Sequence, residues 1–123
     1  NAGLAHNTWP LMDGQFIPDG LLIMQPWWHN FFENAMTVQF QHRMGAYLVT
    51  ILAVVTAFAL KGKAPVGLRH ALLTMVLIQV ALGIFTLLHH VPIALGTLHQ
   101  AGAVAVLSIA VALWHDRSVR VSR

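Results

Sequence analysis

Three long apolar runs, separated by short polar stretches, constrain this chain more than any other feature of its sequence. They span roughly residues 36–60, 70–88 and 93–114, and the first is cleanest from Met44 to Leu60. Each comes close to the ~20 residues that a helix needs to cross ~30 Å of hydrocarbon. Hydrophobic residues make up 57% of the chain and charged residues 9%, against about 25% charged in a soluble domain. That is too little charge to cover a soluble globule, so lipid is the natural solvent for most of the chain. In lipid the backbone must satisfy its own hydrogen bonds, which predicts helices. A closed barrel would need an alternation of period two that these runs lack. The expected fold is all-α, an integral membrane helical bundle with about three transmembrane helices.

The sequence divides into an outer loop over 1–34 and a transmembrane bundle over 35–123. Pro10, Asp13-Gly14, Pro18-Asp19-Gly20 and Pro26 punctuate the loop. It also carries Trp9, Trp27, Trp28, Phe31 and Phe32, and such aromatics commonly anchor at the membrane interface. Residues 21–33 are expected to lie along that interface. No signal-peptide pattern opens the chain.

Positive charge sets the expected orientation. Lys61, Lys63 and Arg69 lie between the first two runs, and Arg117, Arg120 and Arg123 follow the third. The segment before the first run has no Lys or Arg, and neither does the turn His89-His90-Val91-Pro92. The positive-inside rule then puts the 61–69 loop and the C-terminus inside and the N-terminal loop outside. The formal charge of +3 does not indicate nucleic acid, because the basic residues form no stripe with interleaved aromatics. With no cysteine in the chain, disulfides, zinc-thiolate sites and cysteine nucleophiles are excluded.

Polar residues inside a span are costly and often functional, and here they gather at one depth. The first run opens with Gln39, Gln41, His42 and Arg43, and the third with His99 and Gln100. At 1.5 Å rise per residue, each histidine lies about 9 Å below the start of its helix. Both helices run inward, so the two imidazoles are expected at matching depth. Around them the sequence repeats His-x-x-Gly-Ala, at His42–Ala46 and His99–Ala103. Residues at i+3 and i+4 flank the histidine on one helical face, so Gly45 and Gly102 would leave a shallow groove beside each ring. A flat macrocycle whose iron takes an axial histidine from each side needs such room. Two other readings stand beside it. Small and polar residues also serve helix packing in membranes, and a different metal would want a third ligand. No Asp or Glu lies within the runs to supply one.

Arg43 could pair with a haem propionate or snorkel to the interface. Gln79, in mid-span, is expected to make an interhelical hydrogen bond. His89 and His90 would cap carbonyls or touch propionates. His6, His29, His70 and His115 carry no assigned role, and the tryptophans are expected to be interfacial anchors.

The chain resembles the haem A synthase family, of the cysteine-free kind found in mitochondria and many proteobacteria. AlaGlyLeuAlaHisAsnThrTrpProLeuMetAspGly at 2–14 carries the resemblance, with IleProAspGly at 17–20, PhePheGluAsn at 31–34, ValGlnPheGlnHisArg at 38–43 and LeuHisGlnAlaGlyAla at 98–103. It covers essentially the whole chain. It implies an eight-helix protein made of two similar four-helix bundles, of which this chain is most of the second. His42 and His99 fall on the positions that ligate the haem b of that bundle. The family oxidises a methyl group of haem O to the formyl group of haem A, which serves cytochrome c oxidase. The N-terminal bundle, thought to carry the substrate haem O site, has no counterpart in this chain, and neither has the opening helix of the second. Gln39 stands where the first bundle has a Glu, which suits a haem that relays electrons better than a site of oxygen chemistry.

The resemblance therefore implies the C-terminal, haem b-binding half of an oxidoreductase, with His42 and His99 as iron ligands and Arg43, Gly45 and Gly102 beside the cofactor. No catalytic residue is assigned, and the segment alone is not expected to turn over. Expected partners are membrane lipid, the N-terminal bundle, a haem O synthase and an electron donor, with no nucleic acid. The expected location is the bacterial or mitochondrial inner membrane. The alternative is a non-catalytic bis-histidine b-type cytochrome, which the His-x-x-Gly-Ala pair supports equally well. An assembly protein without cofactor is a third reading.

Overall fold

The computed structural model describes residues 2–121, with side chains described over 3–118. Arg123 lies outside the described residues, and of Arg120 only the backbone is described. The described fold is all-helical: α1 spans Ala35–Ala59, α2 Val66–Leu88 and α3 Ile93–Val121. All three are long and apolar enough to cross a membrane. Among the described residues before α1 there are two short 3₁₀ turns, Ala2–Leu4 and Trp27–Phe31.

The start of α1 is set by Asn34. Its side-chain oxygen accepts from the backbone N–H of Met36 and Thr37, at 3.0 and 3.2 Å, which satisfies donors that a helix start otherwise leaves bare. Its Nδ2 donates to Gly20 O and to Asn30 Oδ1, so the cap also ties the loop to the helix. At the far end α1 stops in a turn through Gly62, whose φ of +74° is the left-handed conformation that glycine adopts freely.

Two helices are longer than the apolar runs predict. α2 begins at Val66 rather than near 70, directly after Pro65. Arg69, in its first turn, donates from Nε to Ala57 O at 2.7 Å, so a charged residue outside the apolar run docks the helix start on α1. α3 continues past Trp114 to Val121, since no Gly or Pro follows to stop it.

α2 lies between its neighbours and packs on both. Toward the Lys61–Arg69 end, Ala53, Leu72, Val76 and Leu113 form a buried apolar cluster. Arg117 Nη1 reaches Lys63 O there at 3.5 Å, so the basic residues of two separate stretches share one end of the bundle. Much of the remaining helix surface is exposed and apolar, including Leu48, Ile51, Leu52 and Phe58 of α1 and Val104, Leu107 and Val111 of α3. Such faces would be a liability in water and are what a lipid solvent requires.

At the opposite end the loop folds over the helices. Met12 and Asn30 are fully buried. Asn7 Nδ2 donates to Leu87 O at 2.7 Å, joining the loop to the last turn of α2. The α2–α3 turn is unusual: His90 and Val91 both have positive φ, +59° and +54°. A β-branched residue there costs on the order of 1–3 kcal/mol. Its N–H bonds to Thr86 O at 2.8 Å, and its side chain occupies space left by Gly3, where an added Cβ would lie 2.8 Å from Val91 Cγ2.

Candidate functional site

In the half of the bundle nearest the loop, a cavity of about 490 Å³ opens between the helices. α1 presents Gln39, His42, Arg43, Gly45, Ala46 and Thr50 to it. α2 presents Val76, Gln79, Val80, Gly83, Ile84 and Leu87, a stripe at three- and four-residue spacing, as one helical face requires. α3 contributes His99 and Val106, and the loop contributes Trp9. Among the described residues no Asp or Glu lines it.

His42 and His99 meet here. Their ring centroids lie 6.0 Å apart with planes inclined at 71°. A metal held by one nitrogen of each ring, at about 2 Å per bond, would set imidazole centroids about 6 Å apart. The rings are thus spaced as two ligands of one metal would be, and among the described residues no group of three or more His, Cys, Asp or Glu could hold one. His42 is exposed to the cavity and His99 is half-buried. The Nδ1 of His99 is buried and has no hydrogen-bond partner. The donor set, two imidazoles and no carboxylate in an apolar cleft, fits a haem iron better than zinc, calcium or magnesium.

The two glycines of the repeated motif differ. Gly45 is exposed, lines the cavity, and has nothing within 4 Å of the place a Cβ would take. Gly102 is buried and does not line the cavity. An added Cβ there would fall 2.1 Å from Gln79 Oε1 and 3.5 Å from Met75 Cε. The groove expected beside both histidines is thus a groove beside His42 only. On α3 the same spacing turns its glycine toward α2, because α2 packs against that face.

Arg43 takes neither of its two expected roles through its terminal nitrogens. It is buried at 9% exposure, which excludes snorkelling. Its Nη2 donates to Thr8 O at 2.7 Å and His6 O at 3.3 Å, and its Nη1 to Leu11 O at 3.3 Å and Pro10 O at 3.4 Å. Four carbonyls of the loop converge on one guanidinium, which suits its planar fork of donors. Only Nε, buried and without an acceptor, is left for a carboxylate. The loop so held is the one that carries Trp9 to the cavity, and His6 and Asp13 pair side chain to side chain within it.

Gln79 makes the interhelical hydrogen bond expected of it, donating from Nε2 to His99 O at 2.7 Å. His89 caps its helix, its Nδ1 lying 2.8 Å from Phe85 O. Gln41 and Gln100 face outward. Trp9, Trp27, Trp28 and Trp114 are all exposed, and Trp9 also lines the cavity. Gly83 went unassigned from sequence: an added Cβ there would lie 2.9 Å from His99 Cε1. Its spacing of four residues from Gln79 was the available signal.

Known proteins resemble the chain over nearly its whole length. A family model described as cytochrome oxidase assembly protein matches residues 1–111. The haem A synthase of Bartonella tribocorum is 52% identical over 118 residues, covering 93% of this chain and 33% of that protein. Those of Parvibaculum lavamentivorans and Rhizobium meliloti are 52% and 51% identical, each over 93% of this chain and 33% and 32% of their own length. The chain thus spans about a third of the length of these curated relatives. No solved structure matches it. Since the family match runs from the loop through both histidines and most of α3, the chain belongs to the cytochrome oxidase assembly protein family.

Proposed function

We propose that this chain is the haem b-binding, C-terminal half of a haem A synthase, and that its part in the oxidation of the haem O methyl group is to carry electrons. The observation that carries the reading is the His42–His99 pair, 6.0 Å between ring centroids at the head of an apolar cavity. His42 and His99 would hold the iron. A haem held there would supply one-electron exchange.

The chain's own residues hold and shield this site. Gly45 and Ala46 leave room beside His42 for a flat ring. Arg43 fastens the loop, so that Trp9 covers part of the opening. The absence of a carboxylate from the lining favours a relay over a site that moves protons to oxygen. Methyl oxidation and the substrate haem O site are assigned to the remainder of the protein, the N-terminal bundle, with a haem O synthase and an electron donor as partners. The N-terminal loop would face outward and the Lys61–Arg69 end inward, across the inner membrane.

A reduced-minus-oxidised absorption spectrum of the complete gene product tests the ligands. A low-spin b-type signal is expected in the wild type, and its loss or conversion to high spin in His42→Ala and in His99→Ala. Retention of the full low-spin signal in either variant would sink the assignment. Co-production with a haem O synthase in cells lacking their own haem A synthase then separates the readings. Haem A formation is expected, whereas a low-spin haem without any haem A would favour the non-catalytic cytochrome.

A further inference from the structure

Two residues of α2 meet His99 from different directions. Gln79 grips its backbone, donating to the carbonyl oxygen at 2.7 Å. Gly83, one turn on, faces its ring; a Cβ there would stand 2.9 Å from Cε1 and 3.5 Å from both ring nitrogens. Gln79 reaches across only because Gly102 has no side chain, since a Cβ on Gly102 would fall 2.1 Å from Gln79 Oε1 and 3.2 Å from Cδ. Gln79, Gly83 and Gly102 thus form one clasp on a single histidine, Gln79 at its backbone and Gly83 at its ring. Beside His42 the counterpart of Gly102, Gly45, has nothing within 4 Å of the place a Cβ would take.

We infer that Gln79 and Gly83 are positioning residues for His99, with Gly102 as the gap that admits Gln79, so that α2 sets the height and plane of one axial imidazole while the other follows the cavity's contents. This rests on the reading of His42 and His99 as haem ligands and adds to it a device that neither motif contains. Partners one step removed from a metal fix ligand orientation, and their loss typically costs 10–100-fold in affinity. The cause here is steric as well as polar. A free imidazole can swing away from a methyl group at position 83 by rotating about its side-chain bonds. An imidazole bound to iron cannot.

The test uses the complete gene product in detergent, loaded with haem. Gly83→Ala is expected to leave thermal unfolding of the haem-free protein close to wild type, to speed haem release by roughly tenfold, and to shift the low-spin electron paramagnetic resonance signal, which reports the imidazole planes. Leu77→Ala, on the exposed face of α2, is expected to change neither. A double-mutant cycle tests the clasp itself. Gly102→Ala is expected to speed haem release in the wild-type background and to have a much smaller effect in a Gln79→Ala background, because the atom it would strike is gone. Additive effects in the cycle, or a Gly83→Ala protein with wild-type release rate and resonance, would overturn the inference while the His42→Ala and His99→Ala spectra still upheld the ligands. A wild-type protein without low-spin haem would overturn both together.

Discussion

The surroundings of His42 and His99 make the most instructive comparison in this molecule. The two lie in identical five-residue patterns, His-x-x-Gly-Ala, on helices that run in the same direction. Yet His42 sits on a helix tied to the loop, with an open space beside it at Gly45, whereas His99 sits on a helix pressed against α2, with Gly102 buried under Gln79. Glycine serves opposite ends in the two places. At position 45 the missing side chain leaves a vacancy in the cavity wall, and at position 102 it lets a neighbouring side chain in. A local motif specifies where a gap is, and the packing partner decides what fills it.

The comparison can be broken or sharpened at several points. The largest effect is expected from the ligands: His42→Gly and His99→Gly should each abolish low-spin haem. Added imidazole should restore it more readily at position 42, where the side chain faces the open cavity, than at 99, read by the height of the reduced b-type band. Equal rescue would dissolve the contrast. Next comes Arg43→Met, which removes the donors for four carbonyls of the loop. Losing a buried charged donor set should cost about 1.5–3 kcal/mol and expose residues 6–11 to protease, with His99 and its clasp unaffected; limited proteolysis followed by mass spectrometry checks this.

The glycines give a smaller and more discriminating pair. In the haem-free protein Gly102→Ala should lower the unfolding midpoint, by an overpacking cost of about 1–3 kcal/mol, whereas Gly45→Ala should not lower it at all. A thermal melt in detergent reads both, and an equal loss at the two positions would show that the packing distinction is false. The smallest effect is expected at Asn34, whose cap begins the helix that carries His42. Asn34→Ala should cost about 1 kcal/mol and loosen amide protection in the first turns of α1 and in the loop at Gly20 and Asn30, which its Nδ2 holds, seen by hydrogen exchange. α3, which begins directly after Pro92, should be untouched.

Much of this was legible before any coordinate. Apolar runs of bilayer length predict helices because a span in lipid has no other means to satisfy its backbone, and all three are present. The helix ends were less legible. Arg69 cuts Val66–Leu68 off from the apolar run, but the segment joins α2, and Arg69 binds Ala57 O. The meeting of His42 and His99 followed from equal depth on helices of equal direction. Arg43 did not follow, since its acceptors are backbone carbonyls 32 to 37 residues away, which no side-chain pattern records.

The sequence by itself therefore determined the solvent, the helix number and the depth of the two imidazoles, because these depend on hydropathy and a fixed rise per residue. Only the tertiary structure decided which glycine opens on the cavity, which side chain holds His99 and what Arg43 grips. Those depend on the rotation of each helix against its neighbour and on the path of a loop. Both are set by contacts between residues far apart in the chain.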